Sequence, residues 1–159
     1  NTFGLFSSED SQGLLDFASK CGTQSIKSFK TFLNAIEVCS LELNISWNSA
    51  LAKEYSWVGD KNKINQLANS LSHIVSEQPV IHNIEGVLIT SSLRGNFEIK
   101  GIDKKTYKGT YPVELLEKVR EIRIGEDCMS VIEEARIVNS ATKQSRSVFT
   151  LKSVSRLEG

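Results

Sequence analysis

The residues best equipped to meet a charged partner are four lysines, Lys100, Lys104, Lys105 and Lys108, in the stretch FEIKGIDKKTYKGTYP at 97–112. Ammonium groups on a hairpin that also carries aromatics are what a single-stranded nucleic acid requires, cations for its phosphates and ring faces for its bases. The same stretch fits a solvated hairpin. Phe97 and Ile99 alternate with Glu98 and Lys100, Asp103 and Lys104 occupy the turn, and Thr106 and Lys108 resume on the returning strand. That alternation sends Phe97 and Tyr107 away from the lysines, so the lysine face lacks a stacking surface and a charged, wet face is expected there.

A second candidate surface lies in the connection NSALAKEYSWVGDKNK, where Tyr55 and Trp57 could present aromatic contacts to a protein partner. Trp47, just before it, continues a buried alternation and belongs to the core. The carboxylates come in adjacent pairs, Glu9-Asp10, Glu126-Asp127 and Glu133-Glu134. Neighbours in a strand point to opposite faces, so Glu133 and Glu134 are poorly placed to share a proton. Neither His73 nor His82 is tied by a motif to Cys, Ser or Asp, and there is no G-x-S-x-G elbow and no phosphate-binding glycine loop. No catalytic residue, metal ligand or cofactor is assigned, and the protein is expected not to be an enzyme.

Composition points the same way. Basic and acidic residues both number 19, which removes the long-range positive field of a strong duplex binder. All six arginines lie after residue 80, where 13 basic residues face 11 acidic ones, leaving room for a local patch. The cysteines Cys21, Cys39 and Cys128 are odd in number and without metal spacing, so free, mostly buried thiols in a reducing compartment are expected. No apolar run is long enough to cross a bilayer and no signal-peptide pattern is present, so the expected location is cytoplasmic, with no membrane partner. The chain begins at Asn1 without methionine, which suits the carboxyl-terminal portion of a larger protein.

These residues need elements to position them. Ser7-Ser8-Glu9-Asp10 caps a helix over 8 to 20, with Gly22 as its stop. Ile26, Phe29, Leu33 and Ile36, with Phe32, Ala35 and Cys39 widening the stripe, mark a second over 23 to 39. Leu41, Leu43, Ile45 and Trp47 alternate with polar residues as a strand, which must pair elsewhere or across an oligomer interface. Gly59-Asp60 opens a third helix through Ile64, Leu67, Ala68, Leu71, Ile74 and Val75, ended by Gln78-Pro79. Beyond it the pattern predicts strands at 81 to 92, 96 to 102, 105 to 110, 128 to 138 and 146 to 154. One helix after Pro112, carrying Val113, Leu115, Leu116 and Val119, separates the third and fourth.

Three strands, a helix and two strands is the element order of an OB-fold, with an SH3-like barrel or an irregular sandwich as rivals, since element order does not fix strand pairing. Gly86-Val87-Leu88, Phe97-Glu98-Ile99, Tyr107-Lys108-Gly109 and Phe149-Thr150-Leu151 together resemble a small OB-like or SH3-like β-barrel domain found at the carboxyl end of uncharacterised bacterial proteins. The resemblance covers about half the chain. It implies that Gly86 and Gly109 let strands bend and that Phe97 and Phe149 fill the interior, and it carries no catalytic residue.

The expectation is thus an α+β protein of two subdomains, helix-helix-strand-helix over 1–78 and a five-stranded barrel over 79–159. Its expected role is a non-enzymatic bacterial binding or interaction module with a protein partner or a second copy of itself. Single-stranded nucleic-acid binding through the lysines is the first alternative, and a hydrolase or nuclease assembled from distant carboxylates the second.

Overall fold

The computed structural model describes residues 11–48 and 54–157, except the side chains of Ser11, Gln12, Thr23, Trp47, Asn48, Glu54 and Tyr55. The protein is α+β and divides into two compact units, Asn1–Glu77 with Ile137–Arg146 and Gln78–Arg136 with Ser147–Gly159.

In the first unit, α1 (Ser11–Cys21) and α2 (Thr23–Val38) are separated by Gly22. Its φ of 78° lies in the left-handed region that glycine enters without a Cβ penalty, and its N–H donates to the Ala18 carbonyl at 2.9 Å. Residues at three- and four-residue steps are buried: Leu14, Leu15 and Ala18 on α1, Ile26, Leu33 and Ile36 on α2. The stripe read on α2 is wider than the buried one, since Phe32 is 47% exposed and Ala35 and Cys39 lie on the open side.

The first half does not hold a single strand. β1 (Leu43–Asn48) pairs antiparallel with β2 (Glu54–Gly59), Leu43 opposite Gly59 and Asn48 opposite Glu54. The segment read as a connection carries its own alternation, Tyr55 and Trp57 with Ser56 between them, and so forms the strand's partner within the same chain. Asp60 caps α3 (Lys61–Ser72) by accepting the Lys63 N–H at 2.9 Å, and the helix buries Ile64, Ala68 and Leu71. It stops short of Gln78-Pro79. The β-branched pair Ile74 and Val75 begins β3 (Ile74–Ser76), which pairs with residues 137–139.

The second unit contains β4 (Val80–Ser91), β5 (Asn96–Gly101) and β6 (Thr106–Thr110). A 3-10 turn at Val113–Leu115 follows, then α4 (Leu116–Arg120), β7 (Asp127–Asn139) and β8 (Ser145–Arg156). β7 and β8 belong to this unit up to Arg136 and from Ser147 onward. Its strands are ordered β7-β4-β5-β6-β8, and β8 also pairs with β7. The β6–β8 pairing is parallel and only two residues long, Gly109 with Phe149 and Thr110 with Thr150, so continuous ladders do not close the sheet into the expected barrel.

The inner side buries Leu88, Phe97, Ile99, Tyr107, Ile132 and Leu151, with Leu115 and Val119 of the helical passage packed against them and Phe149 partly buried. The cysteines are free, but only Cys128 is buried, where burial first and then the Asp127 charge push its thiol pKa up. Among the described residues no helix is long and apolar enough to cross a membrane.

Candidate functional site

The lysines occupy one hairpin. Along β5 and β6 the inner positions are Phe97, Ile99, Gly101 and Tyr107, all buried, while Glu98, Lys100, Thr106 and Lys108 face outward. Ile99 stands opposite Tyr107, Glu98 opposite Lys108, and Lys100 opposite Thr106. Lys108 Nζ is 3.1 Å from Glu98 Oε1, so one of the four cations already has an anion. Lys104 takes a φ of 66° at the turn, where Asp103 Oδ1 accepts the Lys105 N–H at 3.0 Å. That N–H is the first cause of the lowered Asp103 pKa, with the Tyr107 hydroxyl and the Lys105 charge adding to it against partial desolvation. Lys100 and Lys104 have no carboxylate partner among the described residues.

No described aromatic lies on this outer face. Phe97, Tyr107 and Tyr111 are 3%, 7% and 6% exposed, and the Tyr107 ring meets Phe149 edge-on at 5.7 Å. The Tyr107 hydroxyl donates to Asp103 Oδ2 at 2.9 Å; burial, then this bond and the Asp103 charge, raise its pKa.

Trp57 is half-buried on β2, opposite Ile45, with its ring across Gly59. The backbone of Tyr55 pairs with Trp47, and both of their side chains lie outside the described residues.

A polar cluster that the sequence does not announce lies on the inner rows of β4, β7 and β8. His82 continues the row of Ile84, Gly86 and Leu88, and Glu134 continues that of Cys128, Ser130 and Ile132. His82 Nε2 is 2.8 Å from Glu134 Oε2, and the Ser147 hydroxyl donates to Glu134 Oε1 at 2.5 Å. The His82 ring is 6.2 Å from that of Tyr107. Glu133, one residue along β7, points the other way and pairs with Lys152 at 3.0 Å.

Serine, glutamate and histidine invite comparison with a hydrolytic triad, but the order of contacts is wrong. A nucleophile must donate to the base that will take its proton, and here Ser147 donates to the carboxylate. The Ser147 hydrogen bond first, and then His82 and the Arg136 charge, hold the Glu134 pKa below the usual range against partial burial. A carboxylate made less basic is a poor acceptor near neutral pH. The cluster ties three strands together, and among the described residues no group of three or more His, Cys, Asp or Glu is placed to hold a metal ion.

This cluster predicts an acid response. The folded pKa of Glu134 lies below the unfolded one, so its stabilising contribution is complete above the ordinary glutamate value of about 4.3 and disappears as pH falls through the folded value. Glu134→Gln should therefore lose less stability than the parent between pH 7 and pH 3 in urea unfolding. Equal losses would show that Glu134 is not held ionised in the folded state.

Comparisons with protein-family models, curated proteins and solved structures return no match.

Proposed function

We propose that the protein is a non-enzymatic interaction module, with an OB-like second unit that meets a protein partner or a second copy of the chain through the outer face of β4, β5 and β7. The OB-like reading rests on the strand order β7-β4-β5-β6-β8, the parallel contact of its third and fifth strands, and the helical passage between its third and fourth.

One observation carries the functional reading: apolar side chains gather on the outer face of this sheet. Cross-strand register sets Ile81 beside Glu133, Asn83 beside Val131, Glu85 beside Met129 and Val87 beside both Asp127 and Lys100. Ile102 joins them through its N–H to the Glu85 carbonyl at 3.0 Å. Ile81, Met129 and Ile102 are 53%, 38% and 73% exposed, and Val87 and Val131 are partly so. Burying them would be favourable, and Glu133, Glu85, Asp127 and Lys100, each directly opposite an apolar residue, call for polar or oppositely charged groups on the partner.

Sedimentation at rising concentration, together with a photo-crosslinker at position 102, tests this. The expected outcome is a mass above one chain or a discrete protein adduct, lost in Ile81→Glu with circular dichroism unchanged. A monomer at every concentration, with no adduct sensitive to Ile81→Glu, would remove the proposal.

A second reading, single-stranded nucleic-acid binding, draws on Lys100 and Lys104, the two hairpin lysines without a carboxylate partner among the described residues. It requires a labelled oligonucleotide to bind at low salt and to weaken steeply as salt rises. Without a stacking surface on that face, no binding is expected.

A further inference from the structure

The first unit holds an open groove of about 560 Å³ between α2 and α3, in which two polar rows face each other. Lys30, Asn34 and Glu37 line it from α2, and Asn65, Asn69 and Ser72 from α3, both rows with steps of four and three residues. Gln66 and the buried Ala68 complete the lining. With the Asn65 amide group turned toward Glu37, Nδ2 donates to both carboxylate oxygens at 2.8 and 3.0 Å. That contact sets the end of α2 against the start of α3, so the rows run antiparallel and Lys30 comes level with Ser72.

Helix propensity does not account for the asparagines in these rows. Asparagine is a weak helix former because its side chain competes for backbone hydrogen bonds, and lysine, glutamate or alanine would hold these helices better. Three asparagines nevertheless face this groove. Each carboxamide offers one acceptor and two donors, the complement of a peptide bond's N–H and C=O.

The ends have opposite charge. Lys30, which has no carboxylate partner among the described residues, is two helical turns from Glu37, about 10 Å along the axis. Three extended residues span about the same length.

We propose that this groove binds a short peptide with free termini, its carboxylate at Lys30, its ammonium at Glu37 and its main chain on the carboxamides of Asn34 and Asn69. A neutral saccharide could use the carboxamides but neither charged end. The site is independent of the sheet face proposed above, and each stands or falls alone.

The probe is trialanine, titrated to about 10 mM against the full chain while the side-chain amide signals are followed by nuclear magnetic resonance, with acetyl-trialanine-amide and maltotriose as controls. Trialanine should give saturable shifts at Asn34, Asn65 and Asn69. The capped peptide should bind at least about tenfold more weakly, having lost both charge-assisted contacts, and maltotriose should cause no shift. The double substitution Asn34→Ala and Asn69→Ala improves helix propensity, so it should keep the fold and abolish saturation. Lys30→Gln should weaken trialanine and leave the capped peptide unchanged. No saturable shift with trialanine, equal binding of the capped peptide or maltotriose, or parent-like binding by the double variant would each overturn the proposal.

Discussion

Gly109→Ala should destabilise the protein by about 3 kcal/mol, the upper end of the usual cost of overpacking. Gly109 lies on β6 opposite Phe97 of β5 and Phe149 of β8. A Cβ added there would stand 2.0 Å from the Phe149 carbonyl oxygen, 2.7 Å from its carbon and 2.9 Å from the Phe149 Cβ. Two of these are backbone atoms that no rotamer change can move aside, so the strands must part. Only two residue pairs join β6 to β8, and the substitution falls on one of them.

Gly101→Ala provides the control. Its added Cβ would first meet Asp103 Oδ1 at 2.5 Å and then Ile84 Cγ2 at 3.3 Å, the movable ends of side chains. Displacing Asp103 would strain its hydrogen bonds from the Lys105 N–H and the Tyr107 hydroxyl, about 1 kcal/mol each if fully lost, still below the cost of parting two strands. Urea unfolding of the two variants tests the contrast. Equal losses, or a loss under 1 kcal/mol for Gly109→Ala, would mean that β6 and β8 do not approach this closely.

Part of this seam is legible in the sequence. The resemblance implies that Gly109 lets its strand bend, whereas here it allows the close approach of Phe149; Phe97 lies inside, and alternation in a half-buried strand assigns every residue to a face once one is known. The same rule predicts the outward lysines and the opposed directions of Glu133 and Glu134. It cannot supply partners. His82 and Glu134 are 52 residues apart and Glu134 and Ser147 are 13 apart, so no local motif joins them. One signal was available: a histidine and a glutamate each extend an inward-facing apolar row, where a polar side chain needs a companion.

Helix limits failed for a different reason. Ile74 and Val75 continue the apolar stripe of α3 in phase, and only their β-branching favours the strand they form. Tyr55 and Trp57 fall in what the sequence reads as a connection, since two aromatics with one serine between them are too short an alternation to mark a strand. Phe32 and Cys39 matched the stripe of α2, but periodicity does not reveal how wide a face the neighbouring elements cover. The α2–α3 groove is partly legible too, since each polar row has helical spacing, although only packing sets one row against the other.

Leu151→Ala should cost about 3–5 kcal/mol, the range for truncating a fully buried leucine whose cavity cannot collapse. Leu151 is 0% exposed and shares its cluster with Leu88, Ile99 and Ile132. Those three project from paired strands, β4 with β5 and with β7, so the walls around the lost methyl groups are held by backbone ladders. Leu93→Ala and Val113→Ala, at positions 74% and 75% exposed, should stay within about 0.5 kcal/mol of the parent. A loss under 1 kcal/mol at Leu151 would mean that β8 does not seal this core. The variant also separates stability from recognition. Leu151 lies inside the sheet, so binding per folded molecule should survive its truncation, whereas Ile81→Glu on the outer face should remove binding and leave the unfolding curve nearly unchanged.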